Sequence, residues 1–285
     1  MAEQNLMNMS PAELVEALMN DNSLVSEFDR LCLWDKFVPF DWSKILSVPK
    51  FIEKAKEYKD GWYTLLKMTP EIADECECWN EFDSWEWKSL LSDQPQFADK
   101  CDKWNEFNVS YWLTLLSVRP QFAEKCDKWN EFESWQWKSL LSDQPKFIEK
   151  AKEYKKGWLI ILQKMPEIAG ECNIWDEFNA MDWRNILSTQ PQFAKKCNKW
   201  HEFEPWQWER LLSKQPQFAD KCDMWYEFNC YNWEYLLSAQ PQFAEKCDEY
   251  NGWEKMDSHI RSTLRRRING FRKMQNFETS KLDKK

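Results

Sequence analysis

Residues 95–119 read PQFADKCDKWNEFNVSYWLTLLSVR, and residues 120–144 repeat the pattern as PQFAEKCDKWNEFESWQWKSLLSDQ. Proline opens every copy of this stretch, and the spacing between successive prolines is 21, 25, 25 and 25 residues, twice over. Self-similarity at such a period is typical of proteins built from stacked repeats. The prolines are Pro49, Pro70, Pro95, Pro120, Pro145, Pro166, Pro191, Pro216 and Pro241.

The apolar residues of one repeat follow helical spacing. With the proline as position 1, they occupy positions 3, 4, 7 and 10 and then positions 18, 21 and 22. Offsets of three and four predict two short helices, and the next proline ends the second. Leucine-rich repeats have a similar period, but this chain lacks their alternating leucines and asparagine ladder. We therefore predict an all-α fold, an α-solenoid of about nine two-helix repeats, each helix about ten residues long.

Three regions are predicted along the chain. Residues 1–48 combine a capped helix beginning near Ser10 with a degenerate repeat, residues 49–252 form the array, and residues 253–285 form a basic C-terminal capping helix and tail. The 21-residue repeats lack the WNEF insert and carry Gly61 or Gly157 just before a tryptophan. Glycine there predicts a tight left-handed turn between helices.

A tryptophan stands eight residues before each proline from Pro70 onward. Tryptophan at helical spacing from a leucine pair predicts a core residue, although a row of aromatic rings is also typical of a platform for bases or sugars. A second aromatic residue at position 10 is expected to pack between repeats. The first set is Trp62, Trp87, Trp112, Trp137, Trp158, Trp183, Trp208 and Trp233.

Seven of the ten cysteines occupy position 7, where two other repeats carry Ala55 and Ala151. A site that accepts either residue favours buried, reduced thiols without a metal ion. The chain shows neither a secretory signal pattern nor a long apolar run, so we predict a cytoplasmic protein without a transmembrane segment.

The sequence offers little for catalysis. Of the two histidines, His201 stands at a variable repeat position and His259 has no evident partner, and glycine-rich phosphate loops are missing. We therefore predict neither enzyme activity nor a cofactor. A glutamate before each position-13 phenylalanine could form a track for a basic ligand or interact with a helix amino terminus.

Positions 17, 20 and 24 vary between copies and would share one face of the second helix. That face is either plain solvent surface or a recognition surface, and the leading functional prediction is a non-enzymatic scaffold that binds a protein or peptide there. The candidate residues are Glu86, Tyr111, Gln136, Asp182, Gln207 and Asn232 at position 17, with Arg210 and Tyr235 at position 20.

The charge is distributed unevenly. The whole chain carries a formal net charge of −9, yet residues 253–285 hold ten Lys/Arg against four Asp/Glu. A helix there, expected to end near Gly270, is first of all a cap, and it is also a candidate site for an anionic partner. Nucleic-acid binding through this helix is the alternative function. The candidate anion-binding residues are Arg261, Arg265, Arg266 and Arg267.

The stretches LLSDQPQFADKCDKW, LLSVRPQFAEKCDKW and LLSAQPQFAEKCD resemble the LLSxQPQFAxKC-type tandem repeats of uncharacterised bacterial proteins. The resemblance covers about residues 42–250. It implies a short-repeat helical array and carries no activity, ligand or catalytic residue.

Overall fold

The computed structural model describes the backbone of residues 6–282 and the side chains of residues 6–21 and 23–270. Over that part of the chain the protein is an all-α repeat solenoid without β-strands, which confirms the predicted fold class. The α-helices are α1 (Pro11–Asn20), α2 (Val25–Arg30), α3 (Pro39–Ile45), α4 (Ile52–Ala55), α5 (Lys59–Met68), α6 (Ser84–Asp93), α7 (Val109–Val118), α8 (Ser134–Asp143), α9 (Ile148–Ala151), α10 (Lys155–Lys164), α11 (Ala180–Thr189), α12 (Pro205–Lys214), α13 (Cys230–Ala239), α14 (Ala244–Glu249) and α15 (Ser258–Leu282).

Short 3-10 helices connect these elements. They are Asn22–Leu24, Leu33–Lys36, Pro49–Phe51, Pro70–Glu75, Trp79–Glu81, Pro95–Lys100, Trp104–Glu106, Pro120–Lys125, Trp129–Glu131, Pro145–Phe147, Pro166–Glu171, Trp175–Glu177, Pro191–Lys196, Trp200–Glu202, Pro216–Lys221, Trp225–Glu227 and Pro241–Phe243.

The second predicted helix is present and ten residues long in the eight repeats that begin at Pro49 to Pro216, but the repeat that begins at Pro241 lacks it. The prediction of a ten-residue first helix was wrong. In the repeat that begins at Pro95, a six-residue 3-10 helix ends where Cys101 becomes extended, at φ −77° and ψ 121°. The Cys101 N–H donates to the carbonyl of Ala98, an i→i−3 bond of 3.3 Å. Six residues after a proline are too few for a cooperative α-helix, so packing of the side chains decides the local geometry.

The position-18 tryptophan is the centre of each repeat's core. Trp112 has no exposed surface, and the position-10 ring of Trp104 stacks on it at 5.7 Å between centroids. Trp104 also lies 5.3 Å from Phe122, which belongs to the next repeat. These contacts confirm both aromatic predictions, and the alternative of an exposed ligand platform at position 18 was wrong because those rings are buried.

A ladder of side-chain hydrogen bonds joins successive repeats. The Nε2 amide of Gln94, just before its proline, donates to the backbone carbonyl of Lys67 in the preceding repeat at 3.0 Å. Arg119 replaces this glutamine once, and its Nε donates to the carbonyl of Ser92 at 2.8 Å. Each bond satisfies a carbonyl in the last turn of a ten-residue helix, which the helix itself leaves without a partner. The same bond is made by Gln144, Gln190, Gln215 and Gln240.

The glycines of the short repeats allow close backbone contact rather than a left-handed turn, so that prediction was wrong. Gly61 lies inside α5, and no glycine of the described residues has a positive φ. A Cβ atom on Gly61 would overlap the carbonyl oxygen of Ala55, at the end of α4. Gly157 has the same relation to Ala151. Loss of the WNEF insert brings the two helices of a short repeat so close that only hydrogen fits between them.

The chain divides into two compact units, each a stack of repeats. The N-terminal unit comprises the chain up to Phe132 together with Ser142–Gln144, and the C-terminal unit comprises Glu133–Leu141 and the chain from Pro145 onward. The predicted division into residues 1–48, 49–252 and 253–285 was based on sequence patterns, not on compactness, and it stays a prediction. No helix among the described residues is both long and apolar enough to cross a membrane.

Helix α15 closes the C-terminal unit. Leu264 and Ile268 are buried, and α15 contacts α13 of the last repeat. The helix continues past Gly270, so the predicted end there was wrong. This glycine is exposed with open space around its Cα, and a single glycine costs a helix only about 1 kcal/mol relative to alanine.

Candidate recognition surface

Position 17, predicted to face a partner, lies mainly inside the protein. At most 5% of each side chain is exposed in four of the six repeats, and in the other two it is half-buried. The predicted face is therefore wrong at this position, because a buried side chain offers a partner no accessible surface. The buried residues are Glu86, Gln136, Gln207 and Asn232, and the half-buried ones are Tyr111 and Asp182.

The physical reason is helix capping. The backbone N–H of Asp83 donates to the Glu86 carboxylate and the backbone N–H of Glu86 donates to the Asp83 carboxylate, both at 2.8 Å. The two residues form a capping box at the start of α6, and Lys59 from the preceding repeat pairs with Glu86 at 2.9 Å. An acidic or amide residue at positions 14 and 17, just before a buried tryptophan, is the sequence signal of this arrangement.

Positions 20 and 24 are accessible where their side chains are large. Tyr235 is 42% exposed, and the guanidinium of Arg210 lies 4.2 Å above its ring. Lys214, at position 24, is also exposed. These residues remain candidates for partner binding.

Position 16 was missed by the sequence reasoning and carries large exposed side chains in five of the six long repeats, while the remaining repeat has Ser110. It lies one helical turn before position 20 and shares its face. The signal was available, since these residues stand two places before each buried tryptophan and thus out of phase with the apolar stripe. Within each unit, we call positions 16, 20 and 24 together the recognition surface. At position 16 and its counterpart in α3 it presents Phe40 (67% exposed), Trp85 (48%), Trp135 (61%), Met181 (48%), Trp206 (38%) and Tyr231 (73%).

A groove of about 400 Å³ crosses this surface in the N-terminal unit. Phe40 and Trp85 line it from the two flanking repeats, and Tyr63 of the short-repeat helix α5 also lines it. Tyr63 is only 3% exposed, although most long-repeat residues at the equivalent position are accessible. The short repeat thus provides an apolar floor between exposed aromatic residues.

A larger groove of about 650 Å³ lies in the C-terminal unit, again over a short-repeat helix. Leu159 and Ile160 of α10 line it and are each 7% exposed. Trp135 lines it from the preceding repeat, and Arg184 and Arg210 line it from the repeats that follow. The two grooves therefore occur at corresponding places in the duplicated pattern of repeats.

The four candidate arginines of the C-terminal helix do not form one surface. The Nη2 atom of Arg261 donates to the carbonyl of Met256 at 3.0 Å, and the guanidinium of Arg265 lies 5.0 Å from the ring centre of Trp253. Both residues thus contact the cap itself. Arg266 and Arg267 are exposed and remain candidates for anion binding.

The residues that the sequence offered for catalysis, or as a track for a basic ligand, lie at the surface of the protein. His201 is exposed, and its Nε2 atom lies 3.9 Å from the Glu202 carboxylate. The glutamates before the position-13 phenylalanines are exposed, and Glu106 and Glu202 pair with the lysines three residues before them. Within residues 6–21 and 23–270, no group of three or more His, Cys, Asp or Glu side chains could hold a metal ion.

All ten cysteines are free thiols, and the predicted burial of position 7 is confirmed. Burial raises the pKa of Cys101 and Cys222 to about 12 and that of Cys197 to about 11. The closest pair, Cys76 and Cys78, has its sulfur atoms 3.6 Å apart.

Thiol reactivity should follow this burial. At neutral pH we expect exposed Cys32 to react with a thiol-specific reagent well before Cys101, Cys197 and Cys222, because the thiolate is the reactive species and burial both blocks access and disfavours ionisation. Mass spectrometry after timed labelling measures the order. Labelling of Cys222 as fast as Cys32 in the native protein would contradict the burial of Cys222.

These features define the class of protein: an all-α repeat solenoid with aromatic and cationic side chains exposed along the ten-residue helices. No protein-family model, curated protein or solved structure matches the chain.

Proposed function

We propose that the chain is a non-enzymatic scaffold that binds a segment of another protein on the recognition surface of each unit. The supporting observation is the exposure of large side chains at position 16 in both units, from Phe40 to Tyr231. A buried tryptophan at position 18 already supplies the core, so a second, exposed aromatic residue two places before it is not needed for packing. Exposed aromatic residues beside a groove are typical of protein-binding surfaces.

The geometry also fits a peptide better than a compact domain. Each groove lies over a short-repeat helix, with exposed aromatic side chains and buried apolar residues among its lining. Aromatic side chains bury a large surface area and have few rotatable bonds, so they are frequent hot spots of protein interfaces.

The test is selection of binding peptides from a random-peptide display library on the immobilised full chain. We expect the selected peptides to bind the double variant Trp85→Ala/Trp135→Ala about tenfold or more weakly, since loss of one aromatic hot spot costs about 2 kcal/mol. Both side chains are about half exposed, so the melting temperature should hardly change. Fluorescence anisotropy measures the affinity.

The matched control is Arg266→Gln/Arg267→Gln, which alters the exposed part of the basic C-terminal helix and leaves the recognition surface intact. Peptide binding should survive it. Selection of no peptide, or of peptides whose affinity ignores both aromatic substitutions, would contradict the proposal. Oligonucleotide binding that the arginine variant abolishes would favour the alternative function in nucleic-acid binding.

A further inference from the structure

The groove of the C-terminal unit is lined by cations, although the chain as a whole is acidic. Arg184, Arg210 and Lys214 line it, and no aspartate or glutamate is among its lining residues. The formal net charge of the whole chain is −9. A concave surface that concentrates one sign of charge attracts ligands of the opposite sign.

Two of these cations lack an anionic partner within the part of the chain that the structure describes. Arg184 is half-buried, its Nη2 donates to the side-chain oxygen of Asn185 at 2.7 Å, and its buried Nε has no acceptor among the described residues. Burial and the neighbouring charge of Arg210 lower the pKa of Arg184. Lys214 likewise forms no ion pair with any described side chain. Leaving a half-buried guanidinium incompletely hydrogen-bonded is unfavourable, and a bound anion would remove that cost.

Arg210 is held in place at the rim of the groove. Its Nε lies 3.3 Å from the carboxylate of Glu209, and its guanidinium stacks on the ring of Tyr235 at 4.2 Å. Asn232 donates to the other oxygen of Glu209 at 2.8 Å, so that carboxylate is shared between two partners. A stacked guanidinium that is already oriented loses little entropy when it binds a carboxylate.

The rest of the groove is apolar or neutral. Leu159 and Ile160 form the floor, and Trp135 stands at the edge with 61% of its surface exposed. A ligand that fits both features carries negative charge and an apolar side chain close together. A chain of acidic and apolar amino acids has that character.

The duplicated repeats provide an internal comparison, because positions 96 residues apart are equivalent. The counterparts of Arg184, Arg210 and Lys214 in the N-terminal unit are Lys88, Thr114 and Val118. Only one of the three is charged there. The cations of the C-terminal groove are therefore not needed to stack repeats, which favours a role in binding.

Nucleic acid fits these observations less well. A phosphodiester chain is negatively charged at every nucleotide, whereas residues 1–252 carry a formal net charge of −15, because residues 253–285 hold ten Lys/Arg against four Asp/Glu and the whole chain is at −9. A peptide, unlike a nucleic acid, can carry negative charges only at the residues that contact the three cations, so the rest of the acidic chain does not repel it.

We propose that the C-terminal groove binds an acidic peptide segment, whose carboxylates pair with Arg184, Arg210 and Lys214 and whose apolar side chain packs against Trp135 and the floor of α10. This inference rests on the proposed scaffold function and adds the chemistry of the partner. The groove of the N-terminal unit, with a single ion pair between Lys67 and Asp93 at 2.7 Å, would take a less charged segment.

The experiment compares two synthetic peptide pools on the full chain: one of Asp, Glu, Leu, Phe and Gly, and one in which Asn and Gln replace the acids. The test variant is Glu209→Leu/Arg210→Thr/Lys214→Val, which installs the residues that the N-terminal unit carries at the equivalent places, Leu113, Thr114 and Val118, and leaves no buried carboxylate without its cation. The control, Arg266→Gln/Arg267→Gln, removes the same number of positive charges outside the groove. Each variant is checked for an unchanged melting temperature.

We expect the acidic pool to bind the unaltered chain at least about tenfold more tightly than the amide pool, with an affinity that falls as salt is added. The test variant should lose about tenfold or more of that affinity, and the control should keep it. Equal binding of both pools that still depends on Trp135 would overturn this inference and leave the scaffold function standing. Binding of neither pool would overturn both.

Two further probes distinguish other anions. A random single-stranded oligonucleotide that binds more tightly than the acidic pool, with the same dependence on Arg210 and Lys214, would overturn the peptide assignment in favour of nucleic acid. Competition by inorganic phosphate at low concentration, without any effect of the peptide side chains, would overturn it in favour of a small anion.

Discussion

Trp87→Ala is expected to lower the free energy of unfolding by about 3–5 kcal/mol, the range observed when a fully buried large aromatic residue becomes alanine. Trp87 has no exposed surface and lies between two rings, stacked on Trp79 at 5.6 Å and edge-on to Phe82 at 5.8 Å. Removal of the indole leaves a cavity that these rings cannot fill without moving. Urea denaturation followed by circular dichroism measures the loss.

Helix α6 contains its own control. Trp85→Ala removes the same side chain two residues earlier, where 48% of it is exposed, and we expect a change of about 0.5 kcal/mol or less. Similar losses for the two variants would mean that the exposed tryptophan also supports the fold, which would weaken its assignment to the recognition surface. An unaffected Trp87→Ala protein would contradict the core.

The repeat period and the aromatic core could be predicted because both follow from the spacing of residues that are close together in the sequence. Prolines mark where each repeat begins, and Trp112 with Leu115 and Leu116 forms a stripe that only a helix buries on one side. Position 7 holds cysteine in seven repeats and alanine in two others, and this choice of small apolar residues correctly predicted a small buried site. Copies within one chain serve as a comparison and reveal which properties each position requires.

Other features depend on which of two local structures is more stable, and the spacing of residues does not reveal this. The apolar residues after each proline suited an α-helix, yet a 3-10 helix forms because the segment is only six residues long before Cys101 turns extended. Variation at position 17 suggested exposure, but five of its six residues are Glu, Gln, Asn or Asp, and each of these accepts a hydrogen bond from the capping residue's N–H; Tyr111 is the exception. Variability thus reflected chemical equivalence in a buried place.

The grooves could be predicted only in part. Exposed aromatic residues such as Trp135 can be recognised from their phase relative to the core stripe. The groove itself requires side chains from several repeats to meet over a short-repeat helix, and that depends on how closely the two helices of the short repeat approach. Gly61 and Gly157 mark the places where this approach occurs. A residue without a Cβ allows either a left-handed turn or a close backbone contact, and sequence alone does not distinguish the two.

Gly61→Ala is expected to destabilise the protein by about 1–3 kcal/mol or more, as overpacking of a tight contact does. In an ordinary helix the same change stabilises, since alanine is the better helix former by about 1 kcal/mol. Here the new Cβ would overlap the carbonyl oxygen of Ala55 and lie 2.9 Å from its Cα. Both atoms belong to the backbone, so no rotamer change relieves the contact and α4 must move away from α5.

Gly170→Ala is the matched control, because Gly170 is exposed and a Cβ there meets no atom within 4 Å. We expect it to be neutral or to stabilise by a few tenths of a kcal/mol to about 1 kcal/mol, through the unfolded state. Gly157→Ala makes the same change in the C-terminal unit and should behave as Gly61→Ala does, since its Cβ meets the corresponding atoms of Ala151.

Displacement of α10 would also disturb the floor made by Leu159 and Ile160, so Gly157→Ala should weaken peptide binding in the C-terminal groove. If both variants melt at or above the temperature of the unaltered protein, the close approach that shapes both grooves is absent in solution.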